Sequence, residues 1–251
     1  MNWKRVLLIV TDIAIAMYLV LAISVFNKPQ NKASVCTEVN IYISDNIMKG
    51  FLTANDVKQI LENEKIYPLE RDMQLVDTRE IENILTRNPF VDKAQCYKTE
   101  GGHVCINLTQ RMPVVRVKAD NGDDYYVDNH GSIMPNTRYV SNLIIATGSI
   151  SRNYAKRTLT RIANHIIHDE FWQNQVVQIN VLADGSMEIV PRVGEHIIYL
   201  GRPTYVAKKL ERVQKFYKYG LSQAGWNKYD YINVEFNNQI ICTHREKELK
   251  S

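Results

Sequence analysis

Asp128 and His130 are the pair of side chains in this sequence best placed to move a proton. They stand two apart in Tyr125-Tyr126-Val127-Asp128-Asn129-His130-Gly131. A hydrolytic site would also need a nucleophile, a third orienting group or a glycine elbow. None accompanies them. Asp128 and Gly131 have a local explanation instead: an Asp side chain bonds the backbone two residues on, and Gly adopts positive φ in a turn. His165 and His168 come next, followed by Asp169 and Glu170. Metal ligation needs neutral imidazoles with further ligands converging on them. The pattern reads more simply as solvated histidines near the negative end of a helix.

The four cysteines are Cys36, Cys96, Cys105 and Cys242. None forms a CxxC pair, so zinc spacing is absent. Cys96 and Cys105 flank a turn at Glu100-Gly101-Gly102, which invites a disulfide. Alternation argues against it. Ala94 and Cys96 share one strand face, Val104, Ile106 and Leu108 share one face of the next, and Cys105 points the other way. Cys96 reads as a small buried apolar group; the redox state of Cys36 and Cys242 is left open. The sequence carries no GxSxG, HExxH or phosphate loop. The expectation is a protein that is not an enzyme, with no catalytic residue, cofactor, metal or small-molecule substrate.

Composition narrows the partners. The chain has 251 residues and a net charge of +4, with 31 Lys and Arg against 27 Asp and Glu. The charge reads as evenly spread, with no basic stripe dense enough for nucleic acid. Residues 6–26 (VLLIVTDIAIAMYLVLAISVF) form one apolar run interrupted by Thr11 and Asp12. About 20 residues cross a bilayer core as a helix. A cleavable signal usually has a shorter apolar core, about 7–15 residues, with a small-residue site after it. The run therefore reads as an uncleaved transmembrane helix, preceded by a cytoplasmic tail of residues 1–5, with the rest of the chain exported. Asp12 is costly in lipid. It suits either a polar contact to a partner helix or a side chain reaching back to the headgroups.

The elements beyond the run fall into two groups. Residues 27–34 are polar and read as a linker. Residues 35–44 alternate as a strand, with Val39, Ile41 and Ile43 on one face. Thr53 is a natural N-cap with Asp56 at the third helical position, and Val57, Ile60 and Leu61 form that helix's apolar stripe. A second helix starts at Asp77 or Thr78, with Ile81, Ile84 and Leu85 inward, and Asn88-Pro89 ends it. Residues 91–97 and 103–110 form a hairpin. The order β-α-α-β-β predicts two helices on one face of a three-stranded sheet.

Residues 113–244 read as a second, β-rich domain with flanking helices. Strands are expected at 114–119, 143–146, 176–182, 187–191 and 196–200. A helix is expected over 154–168, with Leu159, Ile162, Ala163 and Ile166 inward. Another is expected from Pro203 in its first turn through Lys218, with Val206, Leu210, Val213 and Phe216/Tyr217 inward. Late strands fall at 229–236 and 239–243, and residues 245–251 form a charged tail. The fold class is α+β.

Particular stretches resemble the FtsQ/DivIB family of bitopic bacterial cell-division proteins. They are Phe51-Leu52-Thr53, Met73-Gln74-Leu75-Val76-Asp77, Asn88-Pro89-Phe90-Val91-Asp92-Lys93-Ala94 and Gln110-Arg111-Met112-Pro113-Val114. Tyr125 to Pro135, Leu200-Gly201 with Lys208-Lys209-Leu210-Glu211-Arg212, and Tyr229 to Phe236 continue the likeness. Asn233, Glu235 and Phe236 stand where that family usually has Asp, Arg and Tyr. The resemblance implies a POTRA domain over residues 35–112 and a β domain over 113–244. It implies a non-enzymatic divisome scaffold in the cytoplasmic (inner) membrane at the septum, single-pass with its N-terminus in the cytoplasm. It implies as partners FtsB/FtsL-like bitopic division proteins and other divisome members. A strand can add to the unpaired backbone groups of a sheet edge. The candidate edge is 231–236 with 239–242, and the candidate contacts are Tyr231, Asn233, Glu235, Phe236, Gln239 and Ile240. The alternative is another POTRA-containing envelope factor for polypeptide assembly or transport, although no further POTRA unit or barrel strands are evident.

Overall fold

A computed structural model describes residues 3–26, 35–44, 52–136 and 143–245. The expected linker at 27–34, Phe51, and the tail beyond Arg245 lie outside these residues. Helix α1 runs over Trp3–Phe26, 24 residues, about 36 Å at 1.5 Å per residue. Its Ile9, Val10, Ile13, Leu19 and Ile23 side chains are exposed, and the Thr11 hydroxyl donates to the Leu7 carbonyl at 2.6 Å. Among the described residues, no helix is long and apolar enough to cross a membrane. The span expected over 6–26 is therefore not established by these residues, although the backbone of α1 has the length for one.

The first unit comprises β1 (Glu38–Ser44), α2 (Ala54–Asn63), α3 (Thr78–Arg87), β2 (Val91–Lys98) and β3 (His103–Gln110). The strand order is β1-β3-β2, with β1 parallel to β3 and β2 antiparallel to it. Thr53 and Asp56 close a capping box at the start of α2: the Asp56 N–H donates to the Thr53 hydroxyl at 3.2 Å, and the Thr53 N–H donates to the Asp56 carboxylate at 2.8 Å. Asp77 caps α3 by accepting from the Arg79 and Glu80 N–H groups. Asn88 is extended, as a residue before proline must be. The strand expected from residue 35 is regular only from Glu38, because the Cys36 N–H turns away to the Arg71 carbonyl. Val57, Leu61, Ile81 and Leu85 pack with Val104, Ile106 and Leu108 in one core, with Ile60 and Ile84 half-buried against it.

All four cysteines are unpaired. Cys96 lies opposite Ile106 and Cys105 opposite Tyr97 in the β2–β3 ladder, so the two thiols face opposite sides of the sheet. Cys96 belongs to the core, and burial, aided by the Glu82 carboxylate, pushes its thiol up to about 12.

The second unit is a nine-stranded mixed sheet. Its strands are β4 (Pro113–Ala119), β5 (Asp124–Asp128), β6 (Ile133–Pro135), β7 (Ile144–Gly148), β8 (Val176–Val181), β9 (Met187–Pro191), β10 (Ile197–Gly201), β11 (Tyr229–Asn233) and β12 (Ile241–His244). The order across the sheet is β12-β11-β10-β9-β8-β7-β4-β5-β6. Helices α4 (Arg152–Tyr154), α5 (Thr160–Ile167), α6 (Glu170–Gln175), α7 (Val206–Phe216) and α8 (Ser222–Ala224) connect the strands. Ile162, Ile166, Trp172, Leu210, Val213 and Tyr217 from the helical segments share a core with Val115, Val117, Ile179, Ile189, Ile198 and Ile232 from the strands. Helices thus cover one sheet face.

Three local features differ from expectation. The helix expected over 154–168 begins at Arg152 and contains a π-helical turn, Ala155–Leu159, where the Thr160 hydroxyl donates to the Ala155 carbonyl at 2.8 Å. The helix expected from Pro203 begins only at Val206, because Tyr205 takes a left-handed conformation (φ 53°, ψ 35°). A second π-helical turn, Tyr217–Leu221, follows α7. Helix α6 was not anticipated; Asp169 caps it by accepting from the Phe171 and Trp172 N–H groups.

The junction between the units is made by the Asp128 turn. Asp128 is fully buried. Its Oδ1 accepts from the His130 and Ser132 N–H groups, and its Oδ2 accepts from Arg111 Nη1 at 2.9 Å. The Arg111 N–H in turn donates to the Phe90 carbonyl. Phe90 packs against Tyr126 and Met134. The carboxylate that could have been read as catalytic is consumed in structure.

Candidate partner-binding edge

The sheet has two ends, β12 and β6. Strand β6 has three residues and finishes in Pro135, which offers no N–H to an incoming strand. Strand β12, Ile-Cys-Thr-His, carries no proline. It pairs antiparallel with β11, matching Tyr231 with Thr243, Ile232 with Cys242 and Asn233 with Ile241. Among the described residues, its other side has no strand. It can therefore accept a tenth strand from another chain through backbone hydrogen bonds.

This placement corrects one expectation. Residues 231–236 do not form a sheet edge: β11 ends at Asn233 and lies between β10 and β12. The reason is non-local, since β10 pairs parallel with β11 while β12 covers its other side.

The segment joining β11 to β12 is fixed from below by α7. Arg212 donates from Nη2 to the Val234 carbonyl at 2.8 Å and from Nη1 to the Phe236 carbonyl at 2.6 Å. The Val234 N–H donates to the Tyr199 carbonyl at 2.9 Å. Lys209, buried, donates to the Leu200 and Arg202 carbonyls at 2.7 and 2.8 Å; burial lowers its pKa, with Glu235 opposing. Two cations on one helix thus replace missing ladder partners for carbonyls at the strand ends. At the far end, Arg245 bonds Glu195 by its guanidinium, and its N–H donates to the Lys228 carbonyl.

The expected contact residues separate into different environments. Tyr231 is half-buried, donates to Glu188 at 3.2 Å and stacks on Tyr199 at 5.9 Å between ring centroids. Burial first, then the Glu188 charge, pushes its phenol up to about 12. Asn233 accepts the Glu235 N–H at 2.9 Å. Glu235 lies against Gly201. Phe236 and Gln239 are exposed, and Ile240 packs partly on the core. Ile232 and Val234 are fully buried.

Sequence reasoning did not single out Ile241 and Thr243, which lie on β12 itself. Ile241 is 50% exposed, while Cys242 between them packs on the core. The signal was there in the alternation of that short strand. On the sheet face away from the helices, Ile197, Tyr231 and Thr243 form one cross-strand row, and Tyr199, Asn233 and Ile241 the next.

Asp12 is exposed on α1. His165 and His168 are also exposed, and His168 Nδ1 meets the Asn164 carbonyl at 2.7 Å. Among the described residues, no group of three or more His, Cys, Asp or Glu is placed to hold a metal ion.

A β-α-α-β-β unit followed by a mixed sheet with helices on one face and a short open edge defines a class of POTRA-bearing, two-domain proteins. Residues 34–109 match the POTRA-like domain. Residues 112–243, more than half of the chain, match the family described as FtsQ/DivIB, C-terminal related, and the chain belongs to that family. No curated protein matches the chain at a significant level.

Proposed function

We propose that this protein is a non-enzymatic scaffold of the bacterial division machinery that holds septal wall-synthesis proteins together outside the cytoplasmic membrane. The family match supports the cell-division role. The observation that carries the mechanism is the short, proline-free β12 edge, anchored by Arg212 at one end and Arg245 at the other. A partner strand adds there, and Ile241, Thr243 and Phe236 meet its side chains. Of the contacts expected from sequence, Phe236 and Gln239 face solvent, whereas Tyr231, Asn233, Glu235 and Ile240 act mainly by shaping the edge. The partners are small bitopic division proteins of the FtsB/FtsL kind.

In this reading α1 crosses the membrane once, with the tail before it in the cytoplasm and both domains exported. The apolar composition of residues 6–26 supports this. Asp12 then either meets a polar group on a partner helix or reaches the headgroups.

Fluorescence imaging of an N-terminal fusion expressed from its own locus tests the role. A band at the constriction of dividing cells is expected. A uniform envelope signal would favour the second reading, a general POTRA-containing assembly factor. That reading has one specific support: β1 is also a sheet edge, whereas the Cys96 N–H on the opposite edge strand is already taken by Glu82 at 2.7 Å.

A further inference from the structure

We propose that the cleft between α5 and the start of α7 docks an acidic peptide segment of a partner protein, with one apolar side chain of that segment seated in the cavity. The site is separate from the β12 edge and does not depend on strand addition.

The cleft has a volume of about 280 Å³ and is lined by Arg161, Ile162, His165, Pro203, Tyr205, Val206 and Ala207. Its walls are chiefly apolar and its rim is cationic. From 149 to 168 the chain contains no Asp or Glu but has Lys156, Arg157, Arg161, His165 and His168, besides Arg152, which pairs with Asp123 at 3.1 Å; Asp169 and Glu170 follow directly. Lys156, Arg157, Arg161 and His165 are exposed. The even spread of charge expected from the sequence therefore fails on this face. Across the cleft, Arg202 and Lys208 add further positive charge. The acids nearest them are partly occupied: Glu211 pairs with Lys215 at 2.7 Å, and Asp184 accepts from Ser186. An acidic segment is the complement of such a surface.

One departure from ordinary geometry lines the cleft and a second precedes the helix that forms its wall. Tyr205 is left-handed and 73% exposed, and its side chain makes no capping bond to α7. A bulky residue in that conformation costs about 1–2 kcal/mol. The π-helical turn Ala155–Leu159 lies directly before α5 and carries Lys156 and Arg157; such turns recur at functional sites. Arg161 braces the gap by donating to the Pro203 carbonyl at 3.0 Å. The Lys208 ammonium lies 5.9 Å from the Tyr205 ring centroid, within cation–π range, so the exposed ring at the cleft carries a cation beside it.

The test uses the full chain in nanodiscs and a fluorescein-labelled peptide with a central phenylalanine flanked by glutamates, read by anisotropy. Binding is expected. It should weaken about tenfold or more when the phenylalanine is alanine, when Arg157→Glu is introduced, and in Tyr205→Gly. Glycine accepts the left-handed backbone, so Tyr205→Gly should unfold at the same temperature or higher. Absence of binding, or binding indifferent to the phenylalanine or to Tyr205→Gly, would overturn the proposal. So would loss of binding on replacing phosphatidylcholine discs by phosphatidylglycerol, which would assign the basic face to anionic lipid.

Discussion

Arg212 reaches from helix α7 to the Val234 carbonyl at 2.8 Å, and this contact ties the last turn of chain before β12 to the body of the domain. Its second donor holds Phe236. Hydrogen bonds from a charged donor contribute about 1.5–3 kcal/mol each. Arg212→Met keeps the stem but removes the donors. It should lower stability by about 2–4 kcal/mol in chemical denaturation. Hydrogen exchange should quicken at residues 234–244 before it does at Ile179 or Ile189. Equal quickening throughout would show that Arg212 has no special hold on the edge.

Gly201 makes a different demand on the same region. Its φ is +64°, and a Cβ there would lie 2.6 Å from the Glu235 side chain. Gly201→Ala should cost roughly 1–2 kcal/mol from the backbone alone, with more from displacing Glu235. Adding Glu235→Ala should recover the steric part and leave the backbone part. Thermal unfolding of the single and double variants separates the two; full recovery in the double variant would show that the backbone conformation costs nothing.

His196 is buried against the Tyr217 hydroxyl, and its Nδ1 has no hydrogen-bond partner among the described residues. Burial, then the nearby Arg245 charge, holds its pKa below the ordinary 6.5. The unfolded chain therefore binds a proton at this site that the folded chain refuses. Stability contributed by neutral His196 is present above pH 6.5 and is lost as pH falls below it. Melting temperature should drop between about pH 7.5 and 5.5, and less steeply in His196→Gln. Parallel curves for the two proteins would remove His196 as the cause.

Asp128 couples the two domains through Arg111 at 2.9 Å, with the carboxylate buried and the guanidinium partly exposed. Removing one partner of a buried pair costs about 3–5 kcal/mol; the exposure of Arg111 places Asp128→Ala toward the lower figure. Loss of the His130 and Ser132 bonds adds to it. Limited proteolysis should cut Asp128→Ala near residues 110–113 faster than the wild-type chain. Unchanged cleavage would mean that the junction is held by Phe90, Tyr126 and Met134 instead.

Much of the first domain was legible because its signals are local. Thr53, Asp77 and Asn88-Pro89 act within one turn of themselves, and the stripes Val57–Leu61 and Ile81–Leu85 need only helical spacing. The π-helical turn Ala155–Leu159 was not legible, since one extra residue leaves Leu159, Ile162 and Ile166 on the same inward face. Pro203 suggested a helix start that the left-handed Tyr205 postpones by three residues. Of the expected edge, 239–242 overlaps the outer strand β12, whereas 231–236 belongs largely to the internal strand β11. The alternation of 229–236 fits an internal strand as well as an outer one, and only its pairing with β10 and β12 decides. Lys209 and Arg212, which hold the strand ends, were visible in sequence only as part of a family-like stretch. Their role depends on carbonyls contributed by two distant strands.

The most direct test of the β12 edge is site-specific photo-crosslinking in dividing cells. A photoreactive phenylalanine analogue replaces Ile241 on β12 or, as a control, Ile133 on β6. The account predicts crosslinks from Ile241 to a small bitopic division protein, lost when Cys242→Pro removes the N–H that faces away from β11, and none from Ile133. Crosslinking at Ile133 instead, or at Ile241 unaffected by Cys242→Pro, would contradict strand addition at β12.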